Sequence, residues 1–555
     1  MTGTTLTKKD KKHLSKGIKI VKLTNKELQI AESEIVDCCN VTKQIDKNKK
    51  LTHWHFSEQK GHWEQAKDVI GIGTFIPPDN ECVVTTVNPM ADLSQKQLTR
   101  IKELRQIGIF KKADKGPTLV FMSKEYYRKG ALRHLQTDNY QVIEEDPTPK
   151  AIAATKSIID EARLVAPRLW DKLSGLDLEG SRGRKAYFQP KVHKPIPEDG
   201  IVKFRPIVDC KFTPLSEIDK FCAQWLKPLY KVMSTVMKDS IDTLKILREN
   251  SQRRFNWIAT LDVEDLYTNT PIVESIERTM ALAKQNGIGT DNERYIIKKL
   301  LRVVLTNNTF TFDEVRYLQK EGIPMGSNSS PILADAFMFS LEQPHLDRWD
   351  LIGCIPMRYR DDILLLCRRG KTLDEVCNRY NNLHPKLKMT VEVSQTEANF
   401  LDIKIRKTEE GELRLGMYHK PTDTLEPLDW STQHTRDTLK GCTYARALRI
   451  MRTVNNRNDF WSAVMNSLAA AARRNYPWHL VIKQFTKAAL WCAKTNWPHI
   501  KPKFDDGDMD YRTLSVITYA RHLNPIYQVL KRRKVKFARK VGKPILGYLQ
   551  KTSDC

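Results

Sequence analysis

Eleven cysteines stand in this 555-residue chain without one Cys-x-x-Cys pair. That spacing is the usual mark of a zinc finger or ribbon, so its absence argues against both. Cys38 and Cys39 are adjacent, and neighbours do not readily share one tetrahedral site with the His53 and His55 of "HWH". The cysteines read instead as reduced thiols that pack as small hydrophobes, in an intracellular protein, nuclear or cytoplasmic. No apolar run approaches the 18 residues of a membrane span, and no amphipathic lipid anchor is visible. The opening "MTGTTLTKKDKKHLSKGIKI" has charge but lacks the apolar core of a secretory signal. No repeat occurs at solenoid periods.

What is present in excess is positive charge. Ninety-two Lys and Arg face 66 Asp and Glu, a net +26 with a pI near 9.5. Such an imbalance points to a polyanionic partner, because each neutralised phosphate releases condensed counterions. A hydrophobic content of 40% and an aromatic content of 8% fit a globular chain, and its length fits two to four modules.

The first 50 residues hold 12 lysines against six acids with little periodicity, which reads as a partly disordered basic arm. From residue 105 the pattern sharpens. "GIFKKADKGPTLVFM" reads as strand, Lys-Gly-Pro turn and strand. Residues from about 149 to 174 carry apolar side chains at helical spacing. "GRKAYFQPKVHKP" and "GIVKFRPIVDC" are β-rich and joined by a turn. "LSEIDKFCAQWLKPLYKVM" places Ile218, Phe221, Cys222, Trp225 and Leu229 on one helical face. The strand "WIATLDV" precedes a helix with Thr270 as N-cap, Pro271 at the first position and Gly287 as stop; Ser330 and Pro331 open another. Past 405 the chain is helical and basic, and eight of the 13 residues of "KRRKVKFARKVGK" are Lys or Arg.

Two adjacent acids in "RYRDDILLL" suit either a solvated turn or half of a metal site. Nucleotidyl transfer uses two divalent cations, about 3.5 to 4 Å apart. Mg²⁺ takes carboxylate oxygens and keeps several waters, so a few acids on rigid elements suffice. Asp262 closes an apolar strand, and Asp361 and Asp362 fall at the tip of a β-hairpin 99 residues beyond it.

Neighbouring segments decide between the readings. From about 106 to 490 the chain resembles reverse transcriptases, most closely those of Penelope-like retroelements, which are related to telomerase catalytic subunits. "KADKGPTLVFM" resembles that family's upstream Asp-Lys-Gly segment. "PKVHK" and "KFRPIV" resemble its first two fingers motifs, and "LDVEDLYTNTP" and "GIPMGSNSSPILADAFM" its first two palm motifs. "RYRDDILL" is similar to the third, "LKMTVE" to the fourth, and "NFLDIKI" with "YHKPTDT" to the palm-to-thumb segment. The ordered series is specific where any single member is not.

The resemblance implies an α+β right-hand polymerase, with fingers, a palm built on a small antiparallel sheet, a helical thumb and a basic N-terminal extension. Expected boundaries are 1–104 for the extension, 105–178 for an upstream fingers-associated region, 179–405 for fingers and palm, and 406–555 for thumb and basic tail. It implies an RNA-directed DNA polymerase extending a DNA primer on an RNA template with deoxynucleotides and two Mg²⁺ (or Mn²⁺) ions, in retroelement replication. Asp262 and Asp361 then match the metal-binding carboxylates, Asp362 the third acid, and Val263 a backbone carbonyl to the nucleotide-side metal. Tyr267 matches the steric gate against a ribose 2′-OH. Arg205 matches the fingers arginine on the triphosphate, with Lys191, Lys194 and Lys203 as possible helpers. Gly326 and Ser327 fall where backbone must lie close to template and nucleotide, and Gly322 and Gly326 permit such closeness. Lys388 matches a proton donor to the pyrophosphate. Asp402 reads as a palm-to-thumb tie. Arg446, Arg449 and Arg452 share a helix face for duplex phosphates or for solvent.

Three positions depart from the family pattern. Glu321 precedes Gly322 where Gln is common, the nearest being Gln319. Asn328 replaces a usual Pro. Arg360 precedes the acid pair where relatives carry small or aliphatic residues, and it reads either as a primer-phosphate contact or as a charge that weakens metal affinity. Members of this family often continue into a GIY-YIG endonuclease; only 28 residues follow Tyr527 of "NPIYQVL", so the expectation is a subtype lacking it or a truncated chain. An RNA-dependent RNA polymerase and a domesticated, non-catalytic RNA-binding protein are the alternatives, and a telomerase-type enzyme is a third.

Overall fold

The computed structural model describes residues 108–494 apart from 116–118, 193, 251–252, 410, 421–425 and 433. It also describes residues 103 and 106 and the backbone of Ser515–Tyr519 and Phe537–Val541. Those few residues aside, the expected N-terminal extension and the basic tail lie outside the described residues.

Strands β1 (Ile109–Lys112) and β2 (Leu119–Met122) form the antiparallel hairpin that their sequence predicts. Helix α1 (Lys124–Leu135) starts on Ser123, whose hydroxyl accepts the Tyr126 N–H. After β3 (Tyr140–Val142) the expected long helix is two, α2 (Thr148–Val165) and α3 (Pro167–Leu173). Pro167 has no N–H and disfavours helical backbone at Ala166, so the break falls there. Strands β4 (Lys185–Pro190) and β5 (Phe204–Asp209) pair antiparallel, with Gln189 opposite Arg205. Helix α4 (Ser216–Leu226) runs into a 3-10 turn at Lys227–Lys231. Ile218, Cys222 and Leu229 are buried and Phe221 and Trp225 partly covered, as the periodicity predicts.

Helix α5 (Ser240–Glu249) leads to β6 (Trp257–Val263), the short α6 (Leu266–Asn269), α7 (Ile272–Gln285) and α8 (Asp291–Thr306). Thr270 does not cap α7; its hydroxyl donates to the Leu266 carbonyl, and Pro271 holds the cap position. Strands β7 (Thr309–Phe312) and β8 (Val315–Gln319) precede α9 (Ser330–Glu342) and α10 (Leu346–Leu351). Then come β9 (Cys354–Tyr359), β10 (Asp362–Cys367), α11 (Gly370–Asn381) and β11 (Met389–Ser394). Strands β12 (Glu397–Phe400), β13 (Ile403–Lys407) and β14 (Leu413–Met417) lead to the helices α12 (Arg436–Thr453), α13 (Arg457–Arg473) and α14 (Trp478–Lys494).

Three sheets organise these elements into fingers, palm and a palm-to-thumb connection. The fingers sheet has the order β3-β8-β7-β4-β5, the palm sheet β11-β6-β10-β9, and the connecting sheet β12-β13-β14. The palm sheet is covered on both faces. Ile363, Leu365 and Cys367 of β10 join the core made with α7, α8 and α9, while Leu364 and Leu366 join a second core with Ile403, Ile405 and Leu415. Burial on both sides explains why "ILLLC" is a continuous apolar run rather than an alternating one. No described helix is long and apolar enough to cross a membrane.

One expectation for the cysteines is corrected. Cys354 and Cys367 are cross-strand partners on β9 and β10, with Cα atoms 4.3 Å apart, and they are joined as a disulfide. The reading of all eleven as separate thiols did not consider that a hairpin would place these two opposite each other at its open end.

Candidate active site

The acid pair sits at the closed end of that hairpin. Tyr359 pairs with Asp362, which leaves Arg360 and Asp361 as a two-residue turn. Arg360 has φ +60° and Asp361 is not left-handed, the pattern of a II′ turn. On the other side β10 pairs with β6 in a register that sets Asp362 directly opposite Asp262. The Val263 N–H donates to the Asp361 carbonyl at 2.9 Å, so the Asp262–Asp362 pair is of the non-hydrogen-bonded type, where side chains come closest. Two like charges in that position repel.

Among the described residues none of the three carboxylates has a hydrogen bond or an ion pair. The Asp262 and Asp362 side chains are exposed and that of Asp361 is half-buried. Surrounding protein, then Asp361, raise Asp262 above the usual carboxylate range. Asp362 is pushed up to about 6, first by desolvation and then by Asp361 and Asp262. Lys115 and Lys194 oppose the shift at Asp262, and Lys420 and Lys115 that at Asp362. Lysines from three segments thus lie within electrostatic reach of the acids. Val263 forms no hydrogen bond from its carbonyl to the turn among the described residues, and the carbonyl of Lys388, an exposed residue, accepts the Glu264 N–H at 2.9 Å.

Tyr267 lies on α6, half-buried. Its phenol is raised by burial, with Arg360, Asp361, Tyr359 and Arg205 all within electrostatic reach. That set brings the expected gate, the acid turn and the fingers arginine to one place. Tyr267 is fixed from behind: the Ile323 N–H donates to its carbonyl at 2.8 Å, and a Cβ on Gly322 (φ +76°) would meet the Thr268 backbone at 2.5 Å. Gly326 (φ +125°) lies against Val208 of β5, where a Cβ would stand 2.1 Å from the carbonyl oxygen. Both glycines thus serve a backbone contact within the protein. Arg205 points from β5 to Asp114 at 3.1 Å, an acid buried in the upstream Asp-Lys-Gly segment.

The loop 326–329 is built around a residue the sequence did not single out. Asp219, buried on α4, accepts the hydroxyls of Ser327 and Ser329 and the N–H groups of Asn328 and Ser329. The Ser327 hydroxyl is therefore turned inward. Ser330 does not cap α9; its hydroxyl has no hydrogen-bond partner, and the loop amides end on Asp219 instead. Gln319 donates to the Glu321 and Gly322 carbonyls, a structural use for the nearest glutamine. The signal for Asp219 was an acid on the apolar face of a helix, between Leu215 and Cys222. Asp402, between β12 and β13, pairs with Arg449 of α12 at 2.9 Å, and Arg452 lies over the Trp491 ring at 4.6 Å. Arg449 and Arg452 are therefore engaged by the protein itself.

A four-stranded antiparallel palm with paired acids at one hairpin tip, under a fingers sheet and ahead of a helical thumb, defines a right-hand nucleic-acid polymerase fold. Residues 193–412 match the family model of reverse transcriptase (RNA-dependent DNA polymerase). No curated protein matches the chain. Similar solved structures include telomerase from Candida albicans in complex with a TWJ fragment of telomeric RNA, at 11% identity and TM-score 0.46 over 72% of this chain and 66% of that one. Apo telomerase from Candida tropicalis is 11% identical with TM-score 0.44, over 79% of this chain and 77% of that one. The chain thus spans about two thirds of the length of the Candida albicans protein.

Proposed function

We propose that the chain is an RNA-directed DNA polymerase that extends a DNA primer on an RNA template by nucleotidyl transfer, in the replication of a Penelope-like retroelement. The observation that carries this reading is the cross-strand pair of Asp262 and Asp362 beside Asp361, three acids without an ion pair among the described residues. Such a pairing is costly unless an external cation bridges it. The donor set is all oxygen, which fits Mg²⁺ or Mn²⁺ rather than a thiophilic metal. Mg²⁺ usually takes one or two carboxylates and keeps water. The described residues contain no group of three or more His, Cys, Asp or Glu placed to hold one ion, and Mg²⁺ held mainly by water and substrate does not require one.

Asp262, Asp361 and Asp362, with the Val263 carbonyl, would hold two ions. Bound there, the ions supply charge neutralisation and activation of the attacking hydroxyl. The chain's own residues orient the reactants. Arg205, Lys115 and Lys194 bind triphosphate oxygens; Arg205 would leave Asp114 to do so. Tyr267 crowds the sugar position where a 2′-OH would stand. Gly326 and Ser327 form the loop beneath template and nucleotide. Lys388 donates a proton to the departing pyrophosphate.

Primer extension on poly(rA)/oligo(dT) with the full chain tests this reading, with deoxy- and ribonucleotides compared. Incorporation of deoxynucleotides that disappears in Asp361→Ala supports it. Activity with ribonucleotides alone favours an RNA-dependent RNA polymerase. Binding of RNA without synthesis favours the non-catalytic alternative.

A further inference from the structure

Arg360 occupies the acid turn in a backbone conformation that a side chain disfavours. Its guanidinium is held by helix α9 and Tyr230. It pairs with Asp335 of α9 and donates to the Tyr230 hydroxyl and the Pro331 carbonyl, each at 2.9 Å. Asp335 is shared. Its other oxygen takes the Arg358 Nη1 at 3.0 Å, and Arg358 Nε reaches Glu342 at 2.7 Å from a fully buried position. Two arginines flanking Tyr359 thus clamp one carboxylate on the helix that starts directly after the loop 326–329. That loop is itself held by Asp219 through the Asn328 and Ser329 N–H groups.

We propose that Arg360 is a positioning residue: through Asp335 it locks the turn carrying Asp361 to helix α9, so that the nucleotide loop and the metal-binding acids move as one body. The inference rests on the acids being a metal site, as in the proposed function. It replaces both sequence readings of Arg360, as a primer contact and as a charge opposing metal. The sign of one measurement separates them. Removing a cation next to a cation site tightens metal binding if Coulomb repulsion dominates, whereas loosening the turn weakens it.

Mn²⁺ titration of the full chain, read from the free-ion electron paramagnetic resonance signal, needs no synthesis. Arg360→Ala is expected to lower affinity about 10- to 100-fold, as loss of an outer-sphere support does. Arg360→Lys, which keeps charge but not the fork, is expected to recover part of it. Arg360→Gly removes the clamp and also relieves the left-handed strain, so it supplies a folded variant if the alanine form does not fold; its affinity is expected to fall likewise. In primer extension the same variants lower kcat while KM for the deoxynucleotide holds. Unchanged or tighter Mn²⁺ binding in folded Arg360→Ala or Arg360→Gly overturns the proposal, as does a wild-type chain without Mn²⁺ sites. A wild type that binds Mn²⁺ but extends no primer removes the polymerase reading alone and leaves the clamp to be judged on affinity.

Discussion

Two groups of acids lie on and directly behind the same hairpin, and they are treated in opposite ways. Asp262, Asp361 and Asp362 stand at its tip, exposed or half-buried and without a hydrogen bond or ion pair among the described residues. Asp335 and Glu342 lie behind it on α9, buried and saturated by Arg358, Arg360, Tyr230 and Thr235. A buried acid without partners would ionise only at great cost, so the rear group carries its own cations. The front group has no ion pair among the described residues, which leaves its field for something that arrives from outside. The contrast distinguishes acids that hold the architecture from acids kept available for chemistry.

The largest effect is expected at the front. Asp361→Ala should lower deoxynucleotide incorporation by about 10³-fold, since several kcal/mol of charge stabilisation are lost at 1.36 kcal/mol per decade. Its melting temperature should hold or rise, because a repulsive charge is removed. A fall in both would place Asp361 with the architectural group and erase the contrast.

At the rear the expectation is reversed. Arg358→Ala leaves Asp335 and Glu342 short of a cation in a dry core, and should cost about 3–5 kcal/mol of stability in urea unfolding. A loss under 1 kcal/mol would show that the rear acids are protonated or hydrated rather than paired.

How far these groups were legible in the sequence follows from the same contrast. The front acids end apolar strands, so "WIATLDV" and "RDDILLLC" announce both the strand and the acid at its tip. Gly322 and Gly326 were legible as sites of close backbone contact, though not what they touch. The rear group was not read, because its members come from three separate segments and each alone resembles a surface charge. Asp335 and Glu342 are seven residues apart in an otherwise apolar helix, which puts both on one buried face; that spacing was the available signal. Likewise Ser330 and Thr270 fitted local capping rules, but the Thr270 hydroxyl turns back to the Leu266 carbonyl four residues earlier, and the loop amides before Ser330 end on Asp219, 109 and 110 residues away. The Cys354–Cys367 pair depended on hairpin register, which spacing alone does not fix.

A smaller effect tests the aromatic beside the front group. Tyr267→Ala should relax discrimination between deoxy- and ribonucleotides by about 10²-fold in the ratio of kcat/KM values, the scale of a steric pocket. Unchanged discrimination would reduce Tyr267 to a packed aromatic held by Ile323.

The smallest effect is in pH. Asp362 titrates at about 6, and Asp262 is also raised, so Mn²⁺ affinity should decline by about tenfold per pH unit below 6 as protons compete for the ionised acids. Stability of the metal-free chain should run the other way. Between the ordinary value of 3.8 and about 6 the folded state keeps a proton on Asp362 that the unfolded state has released. Stability from this group is therefore present below 3.8 and is lost as pH rises to about 6. In metal-free buffer Asp362→Asn should flatten that part of the melting curve against pH, and saturating Mn²⁺ should reverse its slope in the wild type only. Equal slopes with and without Mn²⁺ would mean that the front acids do not meet the ion, and the difference between the two groups would then be one of burial alone.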